Sequence, residues 1–150
     1  MHFWALFGQL QFDRYVGDAR GGIERLERAR GELKRSRILA MQFYRVFLSA
    51  TEMLLRIDVG DVRGADKIVR ALAKEGPGYA TALATLGRAK LASGERRFAL
   101  IDEAARGFDR ADMRLHAAAA RALTTGRDAA IALVRAEGVR APERWLAMLA

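Results

Sequence analysis

The 150-residue chain contains no cysteine and only two prolines. Without cysteine, neither a disulfide framework nor a thiolate metal site can form. No apolar run approaches the roughly eighteen residues that a membrane-spanning helix needs. The start of the chain, MHFWALFGQLQFD, lacks the basic segment and the small-residue cleavage site of a secretory signal. These absences predict a cytoplasmic protein that does not associate with a membrane.

Basic side chains exceed acidic ones, and this excess is the same in both halves of the chain. Twenty-six basic side chains outnumber 18 acidic ones, giving a formal net charge of +8, and such an excess is typical of proteins with polyanionic partners. Residues 1–75 carry 14 basic and 10 acidic side chains and residues 76–150 carry 12 and 8, so each half contributes +4. In the densest segment, residues 20–37, glutamates lie between the basic residues, as on a solvated helix face. A basic nucleic-acid-associated helical protein is therefore an alternative rather than the preferred interpretation.

Helix-forming residues are abundant. Alanine, leucine and arginine dominate the chain and β-branched residues are few, which favours helix. Between residues 36 and 58, apolar residues recur at steps of three or four, the period of one helix face: Leu39, Phe43, Val46, Phe47, Ala50, Met53, Leu54 and Ile57. The sequence predicts an all-α fold.

Gly60-Asp61 ends this apolar stripe, and a second stripe begins directly after it. A glycine just past a helix adopts the left-handed conformation that closes the helix, and an aspartate accepts hydrogen bonds from the first amides of the next helix. We expect Gly17-Asp18 and Gly94-Glu95 to act in the same way, and Gly126 more loosely. Two helices joined by so short a connection fold back as an antiparallel hairpin.

These signals for helix ends and helix starts predict one helical domain over residues 1–150. Its hairpins span about residues 2–35, 36–75, 77–111 and 112–137, and a last helix covers about 142–149. The four hinge glycines lie 43, 34 and 32 residues apart, close to the 34-residue period of tetratricopeptide repeats. We therefore expect stacked antiparallel hairpins in a tetratricopeptide-like right-handed solenoid, with an irregular helical bundle as the alternative.

The third hairpin, LATLGRAKLASGERRFALIDEAARGF, resembles the tetratricopeptide pattern most closely. Leu83 stands where the repeat has its first large residue, Leu86-Gly87 matches its Leu-Gly pair, and Ala99 its small residue in the second helix. The resemblance implies that Gly87 lets neighbouring helices approach closely. In this unit the second helix is expected to be about one turn short.

Two further elements lie near the C-terminus, Gly107 to Met113 and Gly138 to Leu149. Here the chain resembles the tetratricopeptide-like C-terminal tails of large bacterial, myxobacterial-type regulators, in which a serine/threonine kinase and an ATPase module precede the tail. The kinase motifs and the phosphate-binding G-x-x-x-x-G-K-[ST] loop are not in this sequence. The resemblance therefore implies a non-catalytic signalling tail that binds protein or peptide partners.

The sequence offers no candidate catalytic, cofactor-binding or metal-binding residue. His2 and His116 are far apart and belong to no ligand-spaced cluster. Asp102 and Glu103 are adjacent, so on a helix they point about 100° apart and do not converge on a substrate. We therefore do not expect an enzyme.

A polar stripe on the helix of residues 36–58 is the candidate partner-binding surface. It consists of Arg45, Ser49, Glu52 and Arg56, with Arg88 from the next hairpin beside it. The first helices of stacked hairpins line a concave side on which peptides dock, and arginine can hold a carboxylate with two hydrogen bonds. An ordinary solvated helix face is the alternative.

The first helix carries the candidate oligomer face, Phe3, Trp4 and Phe7. Their helical spacing is typical of core packing. The ends of helical solenoids need polar caps, however, so an uncovered aromatic face at this end would mark a homo-oligomer interface. A truncated fragment without independent activity is a further interpretation of the same uncapped helix.

Overall fold

The computed structural model describes residues 2–149, and within them it contains nine α-helices and no strand. The helices are α1 (Phe3–Val16), α2 (Ala19–Ser36), α3 (Gln42–Asp58), α4 (Val62–Leu72), α5 (Gly78–Leu91), α6 (Gly94–Arg110), α7 (Arg114–Ala122), α8 (Arg127–Ala136) and α9 (Pro142–Leu149). A 3-10 turn, Ile38–Ala40, lies between α2 and α3. The all-α fold is confirmed.

The first two hinges close and restart helices as the sequence predicts. Gly17 and Gly60 have φ angles of 83° and 81°, in the left-handed region that suits glycine. Asp18 and Asp61 each accept a 2.9 Å hydrogen bond from the backbone amide three residues further on. Each aspartate thus satisfies one of the unpaired amides at the start of α2 or α4.

The other two hinges follow the prediction only in part: Gly94 is left-handed as predicted, with a φ of 59°, but it does not close α5. Gly94 is the first residue of α6, while α5 has already ended at Leu91, and Ala92 and Ser93 are extended. Glu95 lies within the first turn instead of capping it, because its longer side chain suits a position inside the helix. Gly126 has a φ of −86° and so does not use the left-handed region. The helix α6 has 17 residues and is not shortened.

The connection between α2 and α3 also differs from the expected start at residue 36. The helix α2 continues to Ser36, and Arg37 takes a left-handed conformation with φ of 55°. The 3-10 turn follows, and α3 begins only at Gln42. A glycine is the usual residue at such a position, and its absence hid this helix end in the sequence.

Helices that follow each other in the chain pack together, and α3 also packs against α1 and α5. One apolar cluster joins α1, α2 and α3 through residues such as Leu6, Leu26 and Leu55. A larger one joins α3 to α7 and includes Met53 and Phe108, and a third joins α7, α8 and α9. Because α3 contributes to the first two clusters, it is the helix around which the first half of the molecule is built.

Small residues set the closest helix approaches. A Cβ atom on Gly87 would lie 2.7 Å from the Val69 side chain and would also overlap Met53, so α5 packs directly on α3 and α4. A Cβ atom on Gly22 would lie 2.8 Å from Leu55, so α2 packs equally closely on α3. The expected close approach at Gly87 is thus present. Ala99, which the resemblance matched to the small residue of the second helix, is exposed and takes no part in such an approach.

The last helix returns to the first. The guanidinium of Arg14, whose side chain is only 3% exposed, donates hydrogen bonds to the carbonyl oxygens of Ala147 and Met148 at the end of α9. It also pairs with Asp58 at the end of α3, at 3.3 Å. Arg144 of α9 lies over the ring of Tyr15, 5.9 Å from its centroid. These contacts join α1, α3 and α9 at one place.

Candidate functional site

Two grooves run along the polar side of α3. The first, about 700 Å³, is bounded by α2, the 3-10 turn and α3, and is called the α2–α3 groove below. Its floor is formed by the outer edge of the core residues Leu26, Leu33 and Leu48, each at most 5% exposed, and by the more accessible Leu39 and Ala40 of the 3-10 turn. Its rim carries Arg30, Lys34, Arg37, Arg45, Ser49 and Glu52. The second groove, about 600 Å³, lies between α2, α3 and α4 and shares Arg30, Ser49 and Glu52 with the first.

The structure brings most of the predicted partner-binding residues together. Arg45, Ser49 and Glu52 line the α2–α3 groove, and Arg56 lines the second groove. The stripe therefore forms the ridge between the two grooves. Arg88 is exposed on α5 and is not among the described residues that line either groove.

Arg56 is held by carboxylates of its own chain. Its guanidinium contacts Glu52 at 2.8 Å, Asp61 at 2.6 Å and Glu27 at 3.3 Å. Arg30 of α2 completes this ion-pair cluster, because it contacts Glu27 at 2.5 Å and Glu52 at 2.7 Å. The cluster thus fastens α2 to α3 and closes one end of the α2–α3 groove.

Arg45 is also engaged within the chain. It donates two hydrogen bonds to the carboxylate of Glu75, at 2.7 and 2.8 Å, and a third to the carbonyl oxygen of Leu39, at 2.8 Å. The bidentate carboxylate contact that we expected from this stripe is therefore made to Glu75, after α4. Gln42 contacts the same glutamate through its side-chain amide, at 2.5 Å to the backbone carbonyl. Arg45 is a link between the 3-10 turn, α3 and the end of α4.

These contacts shift several pKa values. The hydrogen bond from Arg30 lowers the pKa of Glu27, and the hydrogen bond from Arg45 lowers the pKa of Glu75. For Arg56, burial acts to lower the pKa, but the hydrogen bonds to Glu52 and Asp61 outweigh it and the pKa is raised. The paired groups are thus held in their charged forms at neutral pH.

Two cations that the sequence did not single out also line the α2–α3 groove. Lys34, in the last turn of α2, and Arg37, directly after it, are exposed and line the α2–α3 groove. No ion pair within residues 2–149 involves either side chain. The signal in the sequence was present but weak, because basic residues in the last turn of a helix are common for reasons of the helix dipole alone.

The predicted oligomer face divides between core and surface. Phe3 is buried, and its ring lies 4.7 Å from that of Tyr44 on α3. Phe7 is half-buried and stacks on Phe3. Trp4 is 50% exposed, and Phe43 of α3 lies beside it with ring centroids 6.4 Å apart. Of the three predicted residues, Trp4 is therefore the main surface residue.

The outward face of α1 is uncharged along its whole length. Asp13 and Arg14 are the charged residues of this helix, and both are buried. The exposed residues of the helix are small, apolar or an amide: Trp4, Ala5, Gly8, Gln9, Phe12 and Val16. This face is unlike the charged outer faces of α2 and α6.

Within residues 2–149, no group of three or more acidic or histidine side chains is placed to hold a metal ion. No helix in the same range is both long and apolar enough to cross a membrane. Compared with protein-family models, with curated proteins and with solved structures, the chain shows no match.

Proposed function

We propose that this chain is a non-catalytic helical-repeat scaffold that binds a segment of another protein in the α2–α3 groove. Under this proposal its hairpins stack as a tetratricopeptide-like solenoid, turned tightly enough to bring α9 back to α1. A regulatory role as a signalling tail, associated with a serine/threonine kinase, is part of the proposal and rests on the resemblance of residues 107–149.

The observation that carries the proposal is the α2–α3 groove itself. Its volume of about 700 Å³ falls within the range of small-ligand and side-chain sites. Its leucine floor and polar rim combine a surface for apolar side chains with groups that fix orientation. The contacts of α3 with both α1 and α5 support the stacking, because first helices of successive hairpins meet in such repeats.

Titration of the ¹⁵N-labelled protein with peptides selected from a random library tests this function. We expect amide shifts concentrated on α2, the 3-10 turn and α3, with saturation. The Leu39→Lys variant, which places a charge on the half-buried part of the groove floor, should abolish the shifts while circular dichroism shows that the helices persist. Selection that yields no binding peptide, or shifts that lie elsewhere, would overturn the proposal.

Self-association through the outward face of α1 is a second candidate function. A chain with a net charge of +8 repels its own copies, so an uncharged face is the surface on which two copies meet most readily. Trp4, Phe12 and Phe43, between 48% and 62% exposed, supply apolar surface for such a contact.

Sedimentation equilibrium over a wide range of protein concentration tests the second candidate. We expect a dimer that the Trp4→Ser/Phe12→Ser double variant converts to a monomer. Phe98→Ser is the matched control, because Phe98 is equally exposed but lies on α6. A wild-type monomer at every concentration would dismiss this candidate and leave the peptide-binding proposal untouched.

A further inference from the structure

The α2–α3 groove has an uneven charge distribution along its length. At the end near α4, Arg30 is neutralised by Glu27 and Glu52. Arg45 is neutralised by Glu75. At the end formed by the 3-10 turn, where the Arg45–Glu75 pair also lies, Lys34 and Arg37 lack an ion-pair partner within the described chain. The groove therefore offers an apolar floor that leads to two unneutralised cations.

Arg37 carries a second, independent signal. Its φ of 55° places it in the left-handed region, where a residue with a Cβ is less stable than glycine. Glycine is the commonest residue at this position after a helix, yet the chain has a cation there whose side chain lines the groove. Sparsely populated backbone conformations cluster at ligand-binding positions, so the conformation of Arg37 points to a role for its side chain.

We propose that the α2–α3 groove binds a peptide segment in which aliphatic side chains lie next to aspartate or glutamate, and that Lys34 and Arg37 select those carboxylates. This inference rests on the proposed function and names the chemistry of the partner. Aliphatic side chains cover the apolar surface that Leu39 and Ala40 of the 3-10 turn leave accessible on the groove, which releases water from that surface. The carboxylates form charge-assisted hydrogen bonds with the two cations at the mouth.

The opposite end of the groove favours a peptide over a hydrocarbon carboxylate. Ser49 presents its hydroxyl there, and a backbone amide of a peptide can donate a hydrogen bond to it, whereas Glu52 already accepts hydrogen bonds from Arg30 and Arg56. An acyl chain in the same place would remove this hydroxyl from water without a new hydrogen bond, which is unfavourable. A fatty acid is therefore an outcome that the experiment must separate from a peptide.

Selection from a random peptide library, displayed on phage, tests the partner chemistry on the full chain. We expect the selected sequences to combine Leu, Ile or Val with neighbouring Asp or Glu. The Lys34→Glu/Arg37→Glu double variant should select Lys- or Arg-containing peptides instead and should bind the original peptides at least about tenfold more weakly. Arg35→Glu is the matched control, because Arg35 lies in the same helical turn, is exposed, and does not line the groove.

The Arg37→Gly variant separates binding from folding. Glycine suits the left-handed conformation, so the melting temperature should be unchanged or higher, while affinity for the selected peptides should fall by about tenfold. A destabilised chain could not produce this combination. Unchanged affinity in Arg37→Gly would overturn the role assigned to Arg37.

The outcomes distinguish this inference from the proposed function. The inference is overturned if the selected peptides lack carboxylates, or if their affinity is unchanged in the Lys34→Glu/Arg37→Glu variant. Either result would still leave a peptide-binding scaffold. Saturable binding of laurate that displaces the peptides, with no acidic bias in the library, assigns the groove to fatty acids and overturns the inference. A library that yields no binder at all overturns both.

Discussion

The first four helices and the last three are stabilised in different ways. In α1 to α4, large side chains such as Leu6, Leu26 and Leu55 are almost fully buried, and an ion-pair cluster joins α2 to α3. In α7 to α9, the buried positions are mostly alanines, and Val134 is the one large side chain there with less than 2% exposure among the described residues.

The difference predicts two levels of local stability. Buried apolar area contributes about 25 cal/mol per Å² to the free energy of unfolding, and alanine supplies little of it. Regions with few buried apolar contacts open before the rest of a protein. The α2–α3 groove and its cations lie in the region with the higher expected local stability, as a preorganised binding surface requires. The region that we expect to unfold locally first is α7 to α9.

Truncation of one buried side chain in each region gives the largest expected effects. Leu55→Ala should lower the free energy of unfolding by about 4 kcal/mol, because it leaves a cavity between α2 and α3. Val134→Ala should lower it by about 2 kcal/mol, since a smaller side chain is lost. Urea unfolding followed by circular dichroism measures both. An equal or larger loss in Val134→Ala would break the comparison between the regions.

Arg14→Ala removes the buried hydrogen bonds between α1 and the end of α9 and should lower the free energy of unfolding by about 2 kcal/mol. Loss of a buried pair can have a larger effect, but Asp58 is 35% exposed and water then solvates it. Hydrogen exchange should accelerate most in α9. Arg144→Ala is the control and should change stability by less than about 1 kcal/mol, because it removes one exposed cation–π contact. Unchanged exchange in α9 would contradict the role of Arg14.

Acidification should weaken the C-terminal region first. Burial lowers the pKa of His116 to about 4, so between pH 6.5 and 4 the unfolded chain binds a proton that the folded chain does not. Stability therefore falls as the pH drops through this window, by about 2 kcal/mol between pH 7 and 5. His116→Gln should abolish most of this dependence in urea-unfolding measurements. The same slope in the variant would assign it to other groups.

The ion pairs of Glu27 and Glu75 in the first region should be lost only at a lower pH than the one at which the loss of stability through His116 begins. Glu27 and Glu75 have pKa values below their ordinary value of 4.5, so their stabilising contacts are present above that pH and are lost as the pH falls through the folded pKa. Hydrogen exchange at pH 5 should therefore show α7 loosened while α2 and α3 stay protected. If both regions lost protection at the same pH, the two separate pH ranges that we assign to His116 and to the carboxylates would be contradicted.

Loss of a helix cap is the smallest of these effects. Asp18→Ala should lower the free energy of unfolding by about 1 kcal/mol, because an amide at the start of α2 loses its acceptor. Ser93→Ala is the matched control at the start of α6, where the serine makes no capping hydrogen bond, and should change little. A comparable loss in Ser93→Ala would show that backbone propensity, and not the cap, sets the effect.

Local features of the fold could be predicted from the sequence, and distant ones could not. Gly17-Asp18 and Gly60-Asp61 act within three residues, so their role follows from side-chain chemistry alone. Gly94 has the predicted left-handed conformation but stands at the start of α6 and not directly after α5, because a glycine between two helices can take either place. The left-handed conformation of Arg37 could not be predicted, because an arginine in this conformation has no sequence signature.

The candidate site was predicted in position but not in detail. The stripe from Arg45 to Arg56 does line the grooves, since helical periodicity fixes which residues share a face. Arg45 is paired with Glu75, which lies 30 residues away in the sequence. This pairing depends on how α4 packs against α3, and helical periodicity does not specify that packing. The unneutralised cations Lys34 and Arg37 emerge only after these pairings are known.

The contact of Arg14 with the end of α9 limits how modular this molecule is. In an open stack, each hairpin touches only its neighbours, so a repeat can be deleted or duplicated and the remainder still fits. Here Arg14 donates a hydrogen bond to a carbonyl oxygen 133 residues further along the chain, so deletion or duplication of helices between these two residues would displace one side of the contact from the other. The helices between α1 and α9 are therefore not interchangeable units.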